Sequence, residues 1–173
     1  MRSFKLLTLI ILASATLLSA CHTSKRSKNA YLVKFYKELK KEMPDGKVKR
    51  KADTVRVIYP ELAMFDFGKD QVKAEAMPSL KSFATVLKKY DRVYFHINGY
   101  TDNVGPSDVN VSLSQRRAEN AKTLMEGNGV GAMRMTTNGK GEADPIMTNT
   151  TDEGRQANRR VEFVLYDTKP GKK

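Results

Sequence analysis

Apolar residues recur along this chain with two different periods, and the places where the period changes divide it. From Leu6 to Leu18 the run is almost continuously apolar, after Arg2 and Lys5 and before Ser19, Ala20 and Cys21. A charged start, about 13 apolar residues and small residues at the end predict a secretory signal over 1–20; a bilayer-crossing helix needs roughly 20 such residues. Residues 22–30 are polar and basic. Tyr31, Leu32, Phe35, Tyr36 and Leu39 then share one side of a helix, which predicts a short amphipathic helix over Tyr31–Glu42, ended by Pro44 and Gly46. Val55, Val57 and Tyr59 alternate with other residues over Thr54–Tyr59, a strand broken by Pro60. After the turn Phe65-Asp66-Phe67-Gly68, Met77, Leu80, Ala84 and Leu87 return at helical spacing through Lys89, with Pro78 tolerable in the first turn. A strand over Arg92–Gly99, a helix over Asn110–Glu126 stopped by Gly127, and strands over Arg134–Gly139 and Arg160–Tyr166 follow. The order strand, helix, strand, helix, strand, strand predicts a small α/β (α+β) sandwich over 54–168, with the helices on one sheet face and a basic tail at 169–173.

Charge sharpens the division. The chain of 173 residues has a net charge of +12, but eleven Lys and Arg against three Asp and Glu fall within 22–51, and eighteen against sixteen within 52–173. The basic character therefore belongs to 21–53, read as a tether containing the short helix. Cys21 is the sole cysteine and cannot form an internal disulfide. Leu18-Ser19-Ala20-Cys21 matches a bacterial lipobox, which makes Cys21 the expected lipid attachment point; several acyl chains give a stable anchor where one does not. Twelve helical and some eighteen extended residues would let such a tether reach on the order of 80 Å. Its cations would be drawn to anionic headgroups. A nucleic-acid partner is rejected: an exported chain meets little of it, and no zinc, helix-turn-helix or aromatic-stacking signature accompanies the charge.

Candidate chemistry begins with Arg117. At about 100° per residue it falls within the apolar stripe of its helix, between Leu113, Leu124, Ala121 and Met125, while Arg116 falls outside it. A guanidinium among aliphatic groups costs several kcal/mol unless a carboxylate and other acceptors satisfy it, so Arg117 requires a partner, internal or from a ligand. Asp102 stands in the loop Thr101-Asp102-Asn103-Val104-Gly105-Pro106, Asn110 at the start of the next helix, and Asn158-Arg159-Arg160 leads into the last strand. Carboxylate, amide and guanidinium groups converging from loops suit a small zwitterion, with Arg117 gripping a carboxylate and Asp102 accepting from an ammonium. The residues equally allow Asp102 and Arg117 simply to pair and tie loop to helix. Catalysis finds little support: His22 and His96 are the only histidines, a structural zinc site lacks ligands, and Gly139 and Gly141 lack the Gly-Lys-Ser/Thr ending of a phosphate loop. Met64, Met77, Met125, Met133 and Met135 read as core filler. No metal and no cofactor is expected.

The spaced motifs Gly99-Tyr100-Thr101-Asp102-Asn103-Val104-Gly105, Asn110, Leu113-Ser114-Gln115-Arg116-Arg117-Ala118, Gly139-Lys140-Gly141-Glu142 and Asn158-Arg159-Arg160-Val161-Glu162 resemble, in order, the OmpA-like peptidoglycan-binding domain. The resemblance covers roughly 55–167. It departs from the family at Tyr100, where many members have His, and at Val72, where the first helix often opens with Leu. The resemblance implies a non-enzymatic domain that grips the diaminopimelate of a wall stem peptide, with Asp102 and Arg117 as principal binding residues, Asn110 and Arg159 supporting them, and Thr101 beside Asp102. Joined to the anchor at Cys21, it implies an outer-membrane lipoprotein with its domain in the periplasm. Two other readings stay open: a wall-processing hydrolase that docks through this pocket, and an adaptor for an envelope protein partner in a motor or signalling complex.

Overall fold

The computed structural model describes residues 30–44 and 46–167. The expected signal, Cys21 and the tail at 169–173 lie outside the described residues. A helix at 30–42 (α1) precedes a hairpin of β1 (Lys47–Lys51) and β2 (Thr54–Pro60). A single helical turn, α2 (Glu61–Met64), and a loop lead to α3 (Met77–Lys89). Then come β3 (Tyr94–Tyr100), α4 (Ser107–Gly127), β4 (Met135–Gly139), α5 (Asp152–Asn158) and β5 (Arg160–Tyr166). The strands form one sheet in the order β1-β2-β5-β3-β4. All neighbours are antiparallel except β3 and β4, which are parallel and therefore joined by the crossover helix α4. The predicted α/β class and its one-sided helix layer are what the sheet shows.

One sheet face is apolar because alternate strand residues point to it: Val55, Val57, Phe95, Ile97, Val161, Phe163 and Leu165 are all buried. Phe83 of α3 meets Phe95 and Phe163 there, with its ring edge-on to Phe163 at 5.1 Å. Met64, Met125 and Met135 join the core, whereas Met77 and Met133 are exposed, contrary to their reading as filler. Helix α4 begins three residues before the expected Asn110 and includes Gly127 instead of stopping before it, because Gly129 rather than Gly127 takes the left-handed backbone (φ +85°) that ends it.

The largest correction concerns 30–53, expected as part of a tether. Helix α1 places Leu32, Phe35, Leu39 and the following Met43 in the same core as the sheet. The ring of Phe35 stands edge-on to Tyr90 at 5.2 Å, and Glu38 accepts from the Tyr90 hydroxyl (2.7 Å) and Lys89 (2.6 Å). Strand β1 turns only Val48 inward and leaves Lys47, Lys49, Arg50 and Lys51 exposed. Its order comes from pairing with β2 residue by residue from Lys47 opposite Ile58 to Lys51 opposite Thr54. An edge strand needs one buried face and tolerates lysines on the rest, since they discourage pairing with other chains. That is why a charge run here is a strand.

On the open sheet face His96 Nδ1 hydrogen-bonds Thr136 Oγ1 at 2.5 Å, and burial, reinforced by Lys140, lowers its pKa below the ordinary 6.5. The folded state therefore binds the proton less well than the unfolded chain, and stability falls as pH drops through 6.5. Between pH 7 and pH 5 the melting temperature of the parent should fall further than that of a His96→Gln variant; parallel melting curves check this.

Candidate functional site

Two glycines set the geometry of the site. Gly99 and Gly139 face each other across the β3–β4 pair. A Cβ on Gly99 would lie 2.1 Å from the Ser114 carbonyl oxygen, and one on Gly139 would lie 2.6 Å from the Gln115 nitrogen. With both side chains absent, α4 sinks against the strands. Gln115 Oε1 accepts from the Gly139 nitrogen (2.5 Å) and the Ser114 hydroxyl from the Gly141 nitrogen (2.9 Å), locking the helix there. Arg117, one turn later, is carried beneath the loops at the ends of β2 and β3. It is the largest fully buried side chain among the described residues.

Its required partner is Glu61, the first residue after β2, which the sequence reading did not single out. Arg117 donates to Glu61 Oε1 through one terminal nitrogen and to the Lys69 carbonyl through Nε (2.8 Å), with the Phe65 ring 5.3 Å from its guanidinium carbon. The other oxygen, Glu61 Oε2, accepts from Arg159 Nε (2.7 Å), and Arg159 in turn donates to Asp102 Oδ2 (2.5 Å). The four groups form a chain of alternating sign, Asp102, Arg159, Glu61, Arg117, in which Asp102 and Arg117 do not pair directly. Burial alone would lower the Arg159 pKa, but the bonds from Asp102 and Glu61 outweigh it and hold the guanidinium above its ordinary value. The backbone supports this placement: the Glu61 nitrogen donates to the Arg159 carbonyl (2.9 Å) and the Thr101 nitrogen to the Gly141 carbonyl (2.8 Å).

These residues line a cleft of about 370 Å³ together with Phe67, Leu113, Asp152 and Arg155. Phe67 and Val104, 72% and 63% exposed, form an apolar rim. Asp102, Arg117, Arg159, Asn110 and Thr101, expected as site residues, all border it. Asn110 acts as a brace: its amide donates to the Val104 carbonyl (3.1 Å) and, at 3.5 Å, to that of Asp102. Asp102 Oδ1 accepts from the Val104 nitrogen (3.1 Å), so the loop is held by its own side chains. Of Asn158-Arg159-Arg160 only Arg159 enters the cleft. Asn158 accepts from the nitrogens of Ile146 and Met147, while Arg160 turns to Glu162 and to the face of Tyr100, 3.7 Å from its ring centre. The Thr101 hydroxyl is buried with no hydrogen-bond partner among the described residues. No three His, Cys, Asp or Glu residues come together in a metal-holding cluster among the described residues.

A sheet with α4 sunk on paired glycines, and a buried alternating ion chain bordering a cleft, mark a small α/β domain whose cleft is lined by fixed charges. The chain belongs to the OmpA family, whose model matches residues 64–159. It is 38% identical over 118 residues to the probable lipoprotein YiaD of Escherichia coli strain K12, a match covering 68% of this chain and 54% of that one, so the chain spans about half the length of this relative. Among solved structures, the cell wall anchor of the T6SS from Pseudomonas aeruginosa superposes with a TM-score of 0.68 at 27% identity, covering 75% of this chain and 96% of that one. The peptidoglycan-associated lipoprotein from Burkholderia pseudomallei superposes with a TM-score of 0.56 at 29% identity, covering 59% and 86%.

Proposed function

We propose that the protein is an outer-membrane lipoprotein, anchored through Cys21, whose cleft holds peptidoglycan without a covalent bond by the free zwitterionic end of diaminopimelate in a stem peptide. The unpartnered Thr101 hydroxyl carries this reading. A buried hydroxyl left unbonded costs about 1–3 kcal/mol, and this one stands beside Asp102 in a cleft bordered by opposite charges. Two carboxylates, Asp102 and Glu61, balance two guanidiniums, Arg117 and Arg159, so the site favours a ligand carrying both signs over one carrying a single charge. The ligand's ammonium meets Asp102 and its carboxylate meets the guanidiniums. Family membership and the names of the wall anchor and the lipoproteins above agree with a non-enzymatic role in the envelope.

Each charge-assisted bond contributes about 1.5–3 kcal/mol while association costs several, so a single stem binds in the micromolar to millimolar range. Many copies facing a repeating wall hold by avidity. Asp102→Asn keeps the shape and one acceptor of the loop while removing the charge, so it should stay folded yet lose sedimentation with diaminopimelate-containing sacculi by about tenfold or more. Free diaminopimelate should compete, whereas 1,5-diaminopentane, which lacks its carboxylates, and pimelate, which lacks its ammoniums, should not. Undiminished sedimentation of both Asp102→Asn and Thr101→Val would reject the site.

A further inference from the structure

The chain enters the domain at the end of the sheet opposite the cleft. Tyr31, in the first turn of α1, packs edge-on to Tyr90 at 5.4 Å, its hydroxyl donates to Asp91 (3.2 Å), and the Arg92 guanidinium lies 4.2 Å from its ring centre. Those residues precede Tyr94, where β3 starts, whereas Thr101 and Asp102 follow its far end. Cys21 stands only nine residues before Ala30, a contour of about 30 Å at most, well short of the reach a free tether over 21–53 would have had. A domain anchored there sits close to the bilayer. Which side faces the lipid is decided by charge. Glu38 turns to α3, the outer side of α1 carries Lys37, Lys40 and Lys41, all exposed, and Lys47, Lys49 and Lys51 of the edge strand β1 project from the sheet face opposite buried Val48, so the two sets flank the edge of the sheet. None of these six forms a salt bridge with a described residue. The cleft opens where β2 and β3 end, so along β1 Lys47, opposite Ile58, lies toward it and Lys51, opposite Thr54, lies at the other end of the sheet.

We infer that the α1/β1 flank docks on an anionic bilayer surface. The inference rests on the anchoring reading of Cys21. Each lysine near an anionic surface strengthens association about fivefold and is screened within a Debye length, so six act together at low salt and fade at high salt. The test places the full-length lipidated protein in vesicles of phosphatidylcholine alone or with phosphatidylglycerol, and follows flotation and amide hydrogen exchange. The expected result is flotation with both, and exchange in α1 and β1 slowed about tenfold only with phosphatidylglycerol, an effect lost in high salt and in the folded variant Lys37→Glu/Lys40→Glu/Lys49→Glu/Lys51→Glu. Flotation with both but equal exchange would overturn the docking and leave the anchor standing. Flotation with phosphatidylglycerol vesicles alone would remove the anchor and support the docking; flotation with neither would overturn both.

Discussion

Replacing Glu61 with alanine should cost the domain about 3–5 kcal/mol, more than any other single change in the site, because it strands a buried cation. Arg117 would keep only the Lys69 carbonyl and the Phe65 ring, and Arg159 would keep Asp102 and the Phe67 ring. Attraction between the two partners is only part of this cost. Most of it is the desolvation of a guanidinium that is 1% exposed and can no longer share its charge. A double variant, Glu61→Leu with Arg117→Met, removes both charges and should recover most of the loss, while removing a guanidinium proposed to meet the ligand's carboxylate. Urea melts of the three proteins with a shared slope measure these differences. A Glu61→Ala loss below about 1 kcal/mol would show that Arg117 finds another carboxylate, and would remove Glu61 from the ion chain.

Phe35→Ala should destabilise the protein by about 3–5 kcal/mol, as expected for a fully buried aromatic side chain cut back to a methyl group. Phe35 is 0% exposed, with Leu32 and Leu39 beside it and Tyr90 against its ring. Lys37→Ala on the opposite side of the same helix should change stability by no more than about 0.5 kcal/mol. The contrast is diagnostic. If α1 were a linker resting on an independent domain, both substitutions would leave the melt of the sheet unchanged. A large loss for Phe35 within a single cooperative transition means that α1 and the sheet unfold together.

Much of this arrangement is legible before folding, wherever one element alone sets the period. The alternation through Val161, Phe163 and Leu165 locates β5 to the residue, and the helical spacing of Met77, Leu80, Ala84 and Leu87 marks the end of α3 at Lys89. The site was legible in half. Helical geometry alone places Arg117 on the inward face of α4 and so demands a partner for it, and the resemblance in the Asp102 and Arg159 motifs names two members of the ion chain. Glu61 stayed hidden because a lone carboxylate after a proline carries no periodic signal; its role exists only because β2 ends beside the Arg159 backbone. Helix α5 was likewise missed: it is short, polar and held by the Thr151 hydroxyl, which caps the Gly154 nitrogen at 3.1 Å, more than by any apolar stripe.

Local pattern and charge were enough to establish the fold class, the inward guanidinium and the expectation of a leader over 1–20 that ends just before Cys21. Those properties depend on spacings of a few residues, which the chain carries wherever it lies. Three-dimensional closure decided the rest: that Asp102 and Arg117 communicate through Arg159 and Glu61 instead of pairing, and that a basic stretch from 30 to 53 is a core helix and an edge strand. Both outcomes depend on partners tens of residues away, Glu61 and Arg117 being 56 apart and Glu61 and Arg159 98 apart. Contacts of that range are selected by the burial and desolvation energies of the whole assembly, to which no short window of sequence has access.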